Sequence, residues 1–502
     1  MKNDEILHAL EHIDADLIQA ADALPKKKPT RPYWYAAVAA ILALAIVLPI
    51  VLNGLRKPAD LPHIDSKPTA PPNWIDETVP IGGPTLVPLS MVEPRYPEMM
   101  AFPNYADYPN WDAYNVDYSA WQRNQKKQYN QPKGYANSLT NFFQASIAQF
   151  LQGEGNPTCS PVNVYLAMAM LAETAHGNSR WQILNLFGLD NIQQLREQAS
   201  YVWNAHYSDD KRTTLKLANS LWLDDAYAFK QATADRLAET YYASSFSGDL
   251  GTDETNQKLQ AWLNQNTAGL LQEQAKKVEL DPESVFALAS TIYFSAAWEN
   301  EFSEGQTWKD SFHSPQGDRT VPFMHKSLRQ YTCYRGENFS AISLRLSGNN
   351  DMWFILPDEG HTVAEILKSH EYLKLTMNPD AWENKARYII NLSLPKFDVA
   401  DQKDLIAGMK AMGITDVFDF RVSDFTSITD TTDLYVGKID HAARVSIDET
   451  GCFGTAFTVI DVPRGSEPTP METINFVLDR PFLFVVSSRD NLPLFAGVVN
   501  EP

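Results

Sequence analysis

Hydrophobic and polar positions divide the chain into four stretches. Residues 1–32 carry Ile6, Leu7, Leu10, Ile13, Leu17 and Ile18 at helical spacing among acidic residues, then Lys26, Lys27, Lys28 and Arg31. That pattern predicts an amphipathic helix with a basic flank. Residues 33–55, YWYAAVAAILALAIVLPIVLNGL, hold no charge over a length able to span hydrocarbon, and Tyr33, Trp34 and Tyr35 form an aromatic belt at one end. This predicts a retained transmembrane helix, because the apolar core is too long and too far from the start for a cleaved signal peptide. Basic residues concentrate before the span, which places the N-terminus in the cytosol and the rest outside the cell membrane, with Arg56 and Lys57 pulling weakly the other way.

Residues 56–133 are dense in proline and read as a Pro-rich extracellular linker, since proline removes backbone donors and favours extended chain. Within it, YPNWDAYNVDYSAWQRNQKKQY (108–129) is rich in Tyr and Trp, suited to packing on a neighbouring domain or to stacking on sugars; packing is the favoured reading. Residues 134–502 look globular. Helical periodicity runs through 137–152, 162–177 and 255–270, and strand-like runs appear at LKLANSLWL, FALASTIYF, SAISLRLS, MWFILP, INLSLP, LYVGKI, NFVLD and FLFVVS. Helices crowd the first half and strands the second, which predicts an α+β fold with large mixed or antiparallel sheets.

Composition narrows the chemistry. A 502-residue chain with 44% hydrophobic residues can bury a large core, and a net charge of −20 argues against a nucleic-acid partner. Three cysteines make no disulfide framework, and ten histidines lack metal-ligand spacing. No HExxH, CxxC pair, P-loop or GxSxG is present, and neither metal nor cofactor is expected.

One run stands apart: IDETGCFGTAFTVIDVPRGSEP, 447–468. With period two, one face is Cys452, Gly454, Ala456, Thr458, Ile460 and Val462; the other is Phe453, Thr455, Phe457, Val459 and Asp461. The first face is small, then apolar, and uncharged, as a strand entering a packed interior requires. An edge hairpin would alternate too. Val462-Pro463-Arg464-Gly465-Ser466 then reads as substrate for a trypsin-like protease, arginine filling an acidic pocket.

Several blocks, in order, resemble the serpins, a family of serine protease inhibitors. They are Cys159-Ser160-Pro161-Val162 with its apolar helix, LASTIYFSAAWENEF (288–302), LPKFDVADQKDLIAGMKAMGITDVFD (394–419), DFTSI (424–428), DHAARVSIDETG (440–451), LDRPFLFVV (478–486) and LFAGVVNEP (494–502). The resemblance implies a serpin fold over 134–502, with a large central mixed β-sheet, further sheets and about nine helices. It also implies suicide inhibition. A protease serine forms an acyl bond to the residue before the cut, and the freed loop inserts as a strand and drags the acyl-enzyme away; this mechanism is carried over with the family. A strand of about 14 residues spans roughly 46 Å, and its new hydrogen bonds and buried side chains would release on the order of 10–20 kcal/mol before entropy losses.

Carried onto this chain, the resemblance makes Glu449, Gly451, Cys452, Gly454, Ala456 and Thr458 the loop hinge. Ser160, Ser290 and His441 mark the region where the sheet opens, with Trp298 and Glu449 at the end where the loop enters. The reactive bond is Arg464–Gly465 or, by family spacing from Glu449, Gly465–Ser466, which suits an elastase-like pocket. Ser290 stands where the family usually has asparagine, Cys452 where threonine, serine or valine is usual, and Phe453 and Phe457 are bulkier than usual; the segment 466–480 is a few residues longer. The expectation is a membrane-tethered inhibitor partnered by serine proteases. The alternatives are a non-inhibitory serpin acting as a binding module, and a signalling protein that senses proteolysis.

Overall fold

The computed structural model describes residues 92–452 and 471–502. The predicted membrane span at 33–55, and Gly454, Ala456, Thr458, Arg464, Gly465 and Ser466, lie outside them. No helix among the described residues is long and apolar enough to cross a membrane.

Eleven α-helices are described: α1 (Trp111–Gln128), α2 (Thr140–Phe150), α3 (Pro161–Thr174), α4 (Gly177–Leu186), α5 (Ile192–His206), α6 (Gln231–Tyr241), α7 (Asp253–Asn266), α8 (Gln272–Ala275), α9 (Val363–Ser369), α10 (Glu371–Met377) and α11 (Ile406–Ala411). Ten fall within 134–502 rather than about nine. Some, such as the four-residue α8, are too short to show a periodic apolar face.

Sixteen strands accompany them: β1 (Thr158–Cys159), β2 (Ser208–Asp209), β3 (Thr213–Asp224), β4 (Ala243–Gly248), β5 (Phe286–Ala297), β6 (Thr307–Ser314), β7 (Gly317–Arg335), β8 (Phe339–Leu346), β9 (Asn350–Pro357), β10 (Lys385–Pro395), β11 (Phe397–Asp404), β12 (Asp440–Ile447), β13 (Gly451–Cys452), β14 (Thr473–Val477), β15 (Phe482–Ser487) and β16 (Pro493–Val499). They form a nine-stranded sheet ordered β1-β16-β15-β9-β8-β7-β10-β14, with β6 beside β7, and a seven-stranded sheet ordered β11-β12-β13-β5-β3-β2, with β4 beside β3. The near-continuous apolar runs β9, β15 and β16 are buried along their whole length.

Helix α3 sits at the centre. Its sequence, PVNVYLAMAMLAET, has no charge before Glu173, and a helix apolar on every side belongs in a core. Ser160 caps it, accepting from the Asn163 N–H, and Pro161 occupies the first turn, where no backbone donor is needed. Glu173, buried at its end, is neutralised by Arg196 at 2.7 Å and Arg236 at 2.8 Å.

Two readings are corrected. LYVGKI (434–439) forms no strand. Its backbone is satisfied by loop partners: the Val436 N–H donates to Val417 O at 2.7 Å, and the Ser423 hydroxyl donates to Leu434 O. The linker through residue 133 is also not wholly extended, because α1 lies within it. Trp111, Tyr114, Tyr118 and Trp121 recur at helical spacing after Pro109, and Asn110 caps the first turn. Tyr114 stacks on Tyr118 and Tyr118 on Trp121. Of the run 108–129, Tyr129 packs onto the domain, as favoured from the sequence, while Trp111 is exposed; aromatics before the run pack as well. Tyr96 stacks on Trp203 and Tyr207, Phe102 meets Trp121 edge-on beneath the Arg212 guanidinium, and Arg489 lies 4.0 Å above the Tyr129 ring.

Candidate functional site

Strand β12 alternates His441, Ala443, Val445 and Ile447 inward, pairing β11 along its full length on one edge. Among the described residues its other edge is paired only at Ile447, with Cys452. Strand β5 likewise pairs β3 from Phe286 to Ala296, and among the described residues its far edge meets only Gly451 and Cys452. Among the described residues no backbone pairing joins β5 to β12 directly. The two-residue β13 is their shared neighbour at one end of a slot. Along the slot a small cavity is lined by Ile292 and Phe294 of β5, Ala443 and Arg444 of β12, and Leu270 between α7 and α8. Arg444 ties that covering segment down through a hydrogen bond to Leu270 O at 2.9 Å.

At the exit end, Asp448 to Gly451 form a tight turn. The Asp448 carboxylate accepts from the Thr450 N–H at 2.8 Å and its hydroxyl at 2.6 Å, and from the Gly451 N–H at 3.2 Å. Gly451 is required by close approach: a Cβ there would lie 2.3 Å from Ala296 O. Trp298, buried, donates its indole N–H to Asp448 O at 2.8 Å and its backbone N–H to Thr450 O at 2.9 Å. Glu449 receives the Lys396 ammonium at 2.7 Å and the Thr307 hydroxyl at 2.8 Å. Burial alone would raise the Glu449 carboxyl, but Lys396 and Thr307 hold it below the usual carboxylate range. Cys452 is fully buried, and burial, with Asp448 nearby, pushes its thiol far above the ordinary value, so it serves as apolar filler.

Farther along the slot lies a second cluster. His441 Nε2 accepts the Ser160 N–H at 3.0 Å, so that nitrogen is unprotonated and the ring neutral. Burial, with Lys403 nearby, lowers its pKa to about 4, against an opposing pull from Asp401. The Ser160 hydroxyl donates to Leu494 O at 2.6 Å and accepts from the Asn163 N–H at 3.3 Å. Ser290 donates to Asn163 Oδ1 at 2.6 Å, and Asn163 Nδ2 returns a bond to Ser290 O at 3.2 Å. The amide missing at position 290 is therefore supplied from α3.

The structure thus brings Ser160, Ser290 and His441 into one network and sets Trp298, Glu449, Gly451 and Cys452 in another. Sequence reasoning missed Asn163, Thr307, Asp448 and Lys396 as site residues. Lys396 stands within the LPKF block and was findable there. Asn163 and Ser290 are joined only by the fold.

A family model described as "Serpin (serine protease inhibitor)" matches residues 137–502. Relatives include alpha-1-antiproteinase of Bos taurus, 29% identical over 73% of this chain and 88% of the relative, and alpha-1-antiproteinase 2 of Equus caballus, 27% identical over 72% and 85%. Serpin-ZX of Arabidopsis thaliana is 25% identical over 69% and 92%. Among solved structures, the thermophilic serpin tengpin in its native state superposes with a TM-score of 0.66, covering 74% of this chain and 95% of that one at 24% identity.

Proposed function

The chain belongs to the serpin family, and from that premise we propose that it is a membrane-tethered trap for serine proteases, consumed once per protease. The observation that carries the reading is the slot. Strand β13 enters it antiparallel to both β5 and β12, and its register can be continued. Gly454 would then stand between Phe294 and Val445, Ala456 between Ile292 and Ala443, and Thr458 between Ser290 and His441. A residue without a side chain would face two large apolar neighbours, and a hydroxyl would meet the buried polar network. Val462 would reach Phe286, where β5 begins. Pro463, which has no N–H to donate, would end the ladder one residue before Arg464.

In this reading the protease's serine attacks the Arg464 carbonyl carbon, the Arg464–Gly465 bond breaks, and the Gly465 amine leaves with the proton. The acyl ester to Arg464 then travels with the inserting strand before water reaches it. This chain supplies the scissile bond and no catalytic group. The cut at Gly465–Ser466 by an elastase-like enzyme is the variant of the same reading. The uncharged span at 33–55 supports the tether, and the basic residues concentrated before it support an outward-facing domain.

Incubation with trypsin and with elastase tests the proposal. A covalent complex stable in SDS, with acyl linkage mapped to Arg464 or Gly465, is expected. Turnover to cleaved chain with no complex would leave the binding-module reading in its place.

A further inference from the structure

We propose that the Trp308 indole, held flat on His325, is a docking plate for the body of the protease that attacks the loop, a contact additional to the loop itself. This rests on the reading of 453–470 as protease bait. Trp308 is 51% exposed, although tryptophan is the residue with most to gain from burial. It is not loose: its ring stacks on His325 at 3.5 Å between centroids, 6° from parallel. The imidazole is in turn positioned by Gln306 O, 3.3 Å from Nδ1, and by Phe323 beside it. An aromatic surface fixed before its partner arrives loses little freedom on binding.

The place of the plate identifies the occupant. Thr307, its immediate neighbour, holds Glu449, three residues before the described chain stops at Cys452. On the other side, His325 of β7 pairs Ser393 of β10, and Ser393 pairs Val477 of β14, the strand into which the chain returns. The plate therefore lies on the strands that link Glu449, just before an 18-residue segment, 453–470, to β14, which follows it. A protease holding Arg464 in its cleft is tethered over this surface at both ends. Exposed Asp310, two residues on and on the same face of β6, gives the plate a polar edge. A central aromatic within a polar rim is the composition of an interface hot spot.

The test uses the full-length chain in detergent with bovine trypsin and pancreatic elastase. The quantity read is the second-order rate of loop consumption, complex plus cleaved product, so it is defined whether or not the protease is trapped. Trp308→Ala is expected to slow consumption about tenfold with at least one protease, with Trp308→Phe intermediate and the share of complex to product unchanged. The thermal shift on loop cleavage reports that each variant is folded. Rates within about twofold of wild type for both proteases overturn the proposal. So does a change in oligomeric state with unchanged rate, which would make the plate a contact between copies. Wild-type chain that is cut without complex sinks the inhibitory reading but leaves the docking plate decided by the rates. No cutting by either protease overturns both.

Discussion

The slot is braced in two places that share no chemistry. At the exit, Glu449 is held by an ammonium and a hydroxyl, and Lys396 is about one-third exposed. Seven residues back along β5, roughly 23 Å, the Ser160–Asn163–Ser290–His441 network holds no charge and is largely buried. If the loop inserts as proposed, the exit must release its chain while α3 and the strands around it stay packed. A charged, water-accessible clasp can be exchanged for solvent at low cost, whereas a buried neutral network resists opening because each separated group would be left unpaired. On the proposed reading, the two sites divide the work of holding one slot.

Cutting the loop is the largest test of that division. If residues 453–462 fill the slot after cleavage, both braces are locked by a continuous sheet. The midpoint of thermal unfolding should rise by roughly 15–25 °C, from about 10–20 kcal/mol spread over a domain of this size. Equal melting of cut and uncut chain would mean that the slot does not fill and that the comparison has no object.

Acid should break the inner brace before the outer one. The folded pKa of His441, about 4, lies below its ordinary value of 6.5. The stability it contributes is complete above pH 6.5 and is lost as pH falls towards 4, where protonation would cost about 3 kcal/mol. Denaturant midpoints of the intact chain should fall across that window, and His441→Gln should flatten the fall. A fall unchanged in the variant would place the acid sensitivity elsewhere.

The outer brace is smaller. Glu449→Ala leaves Lys396 without its carboxylate and should destabilise the intact chain by about 1–3 kcal/mol, with Lys396→Met in the same chain recovering part of the loss. Because the Glu449 carboxyl is held below its ordinary range, its contribution is present above that range and disappears as pH falls through the lowered value. The finest distinction comes from Thr458→Val. The intact chain should melt unchanged, while the cleaved chain loses about 1 kcal/mol as its hydroxyl no longer reaches Ser290 and His441. A loss in both forms, or in neither, would contradict the continued register.

Much of this site was legible because its parts are local. The N-cap serine and the proline of α3 stand side by side, and the inward alternation of β12 and of the run from Cys452 has the two-residue period of a strand. Other parts were illegible for definite reasons. LYVGKI has strand-like residues, but among the described residues its backbone partners are isolated loop groups that complete no ladder. The stripe Trp111, Tyr114, Tyr118, Trp121 was present in the sequence and was masked by the prolines before it. Asn163 answers Ser290 across 127 positions, a pairing that no local pattern encodes.

Sequence by itself determined the alternating small face of the loop, the arginine after its proline, the apolar span near the N-terminus and the family to which the blocks point, since each depends on neighbours a few residues apart. Only the tertiary structure decided that β5 and β12 stand apart, that β13 enters between them in one register, and that two unlike braces hold the arrangement. Those depend on which distant strands find each other, and hydrogen bonds between strands carry no record of their partner in either sequence.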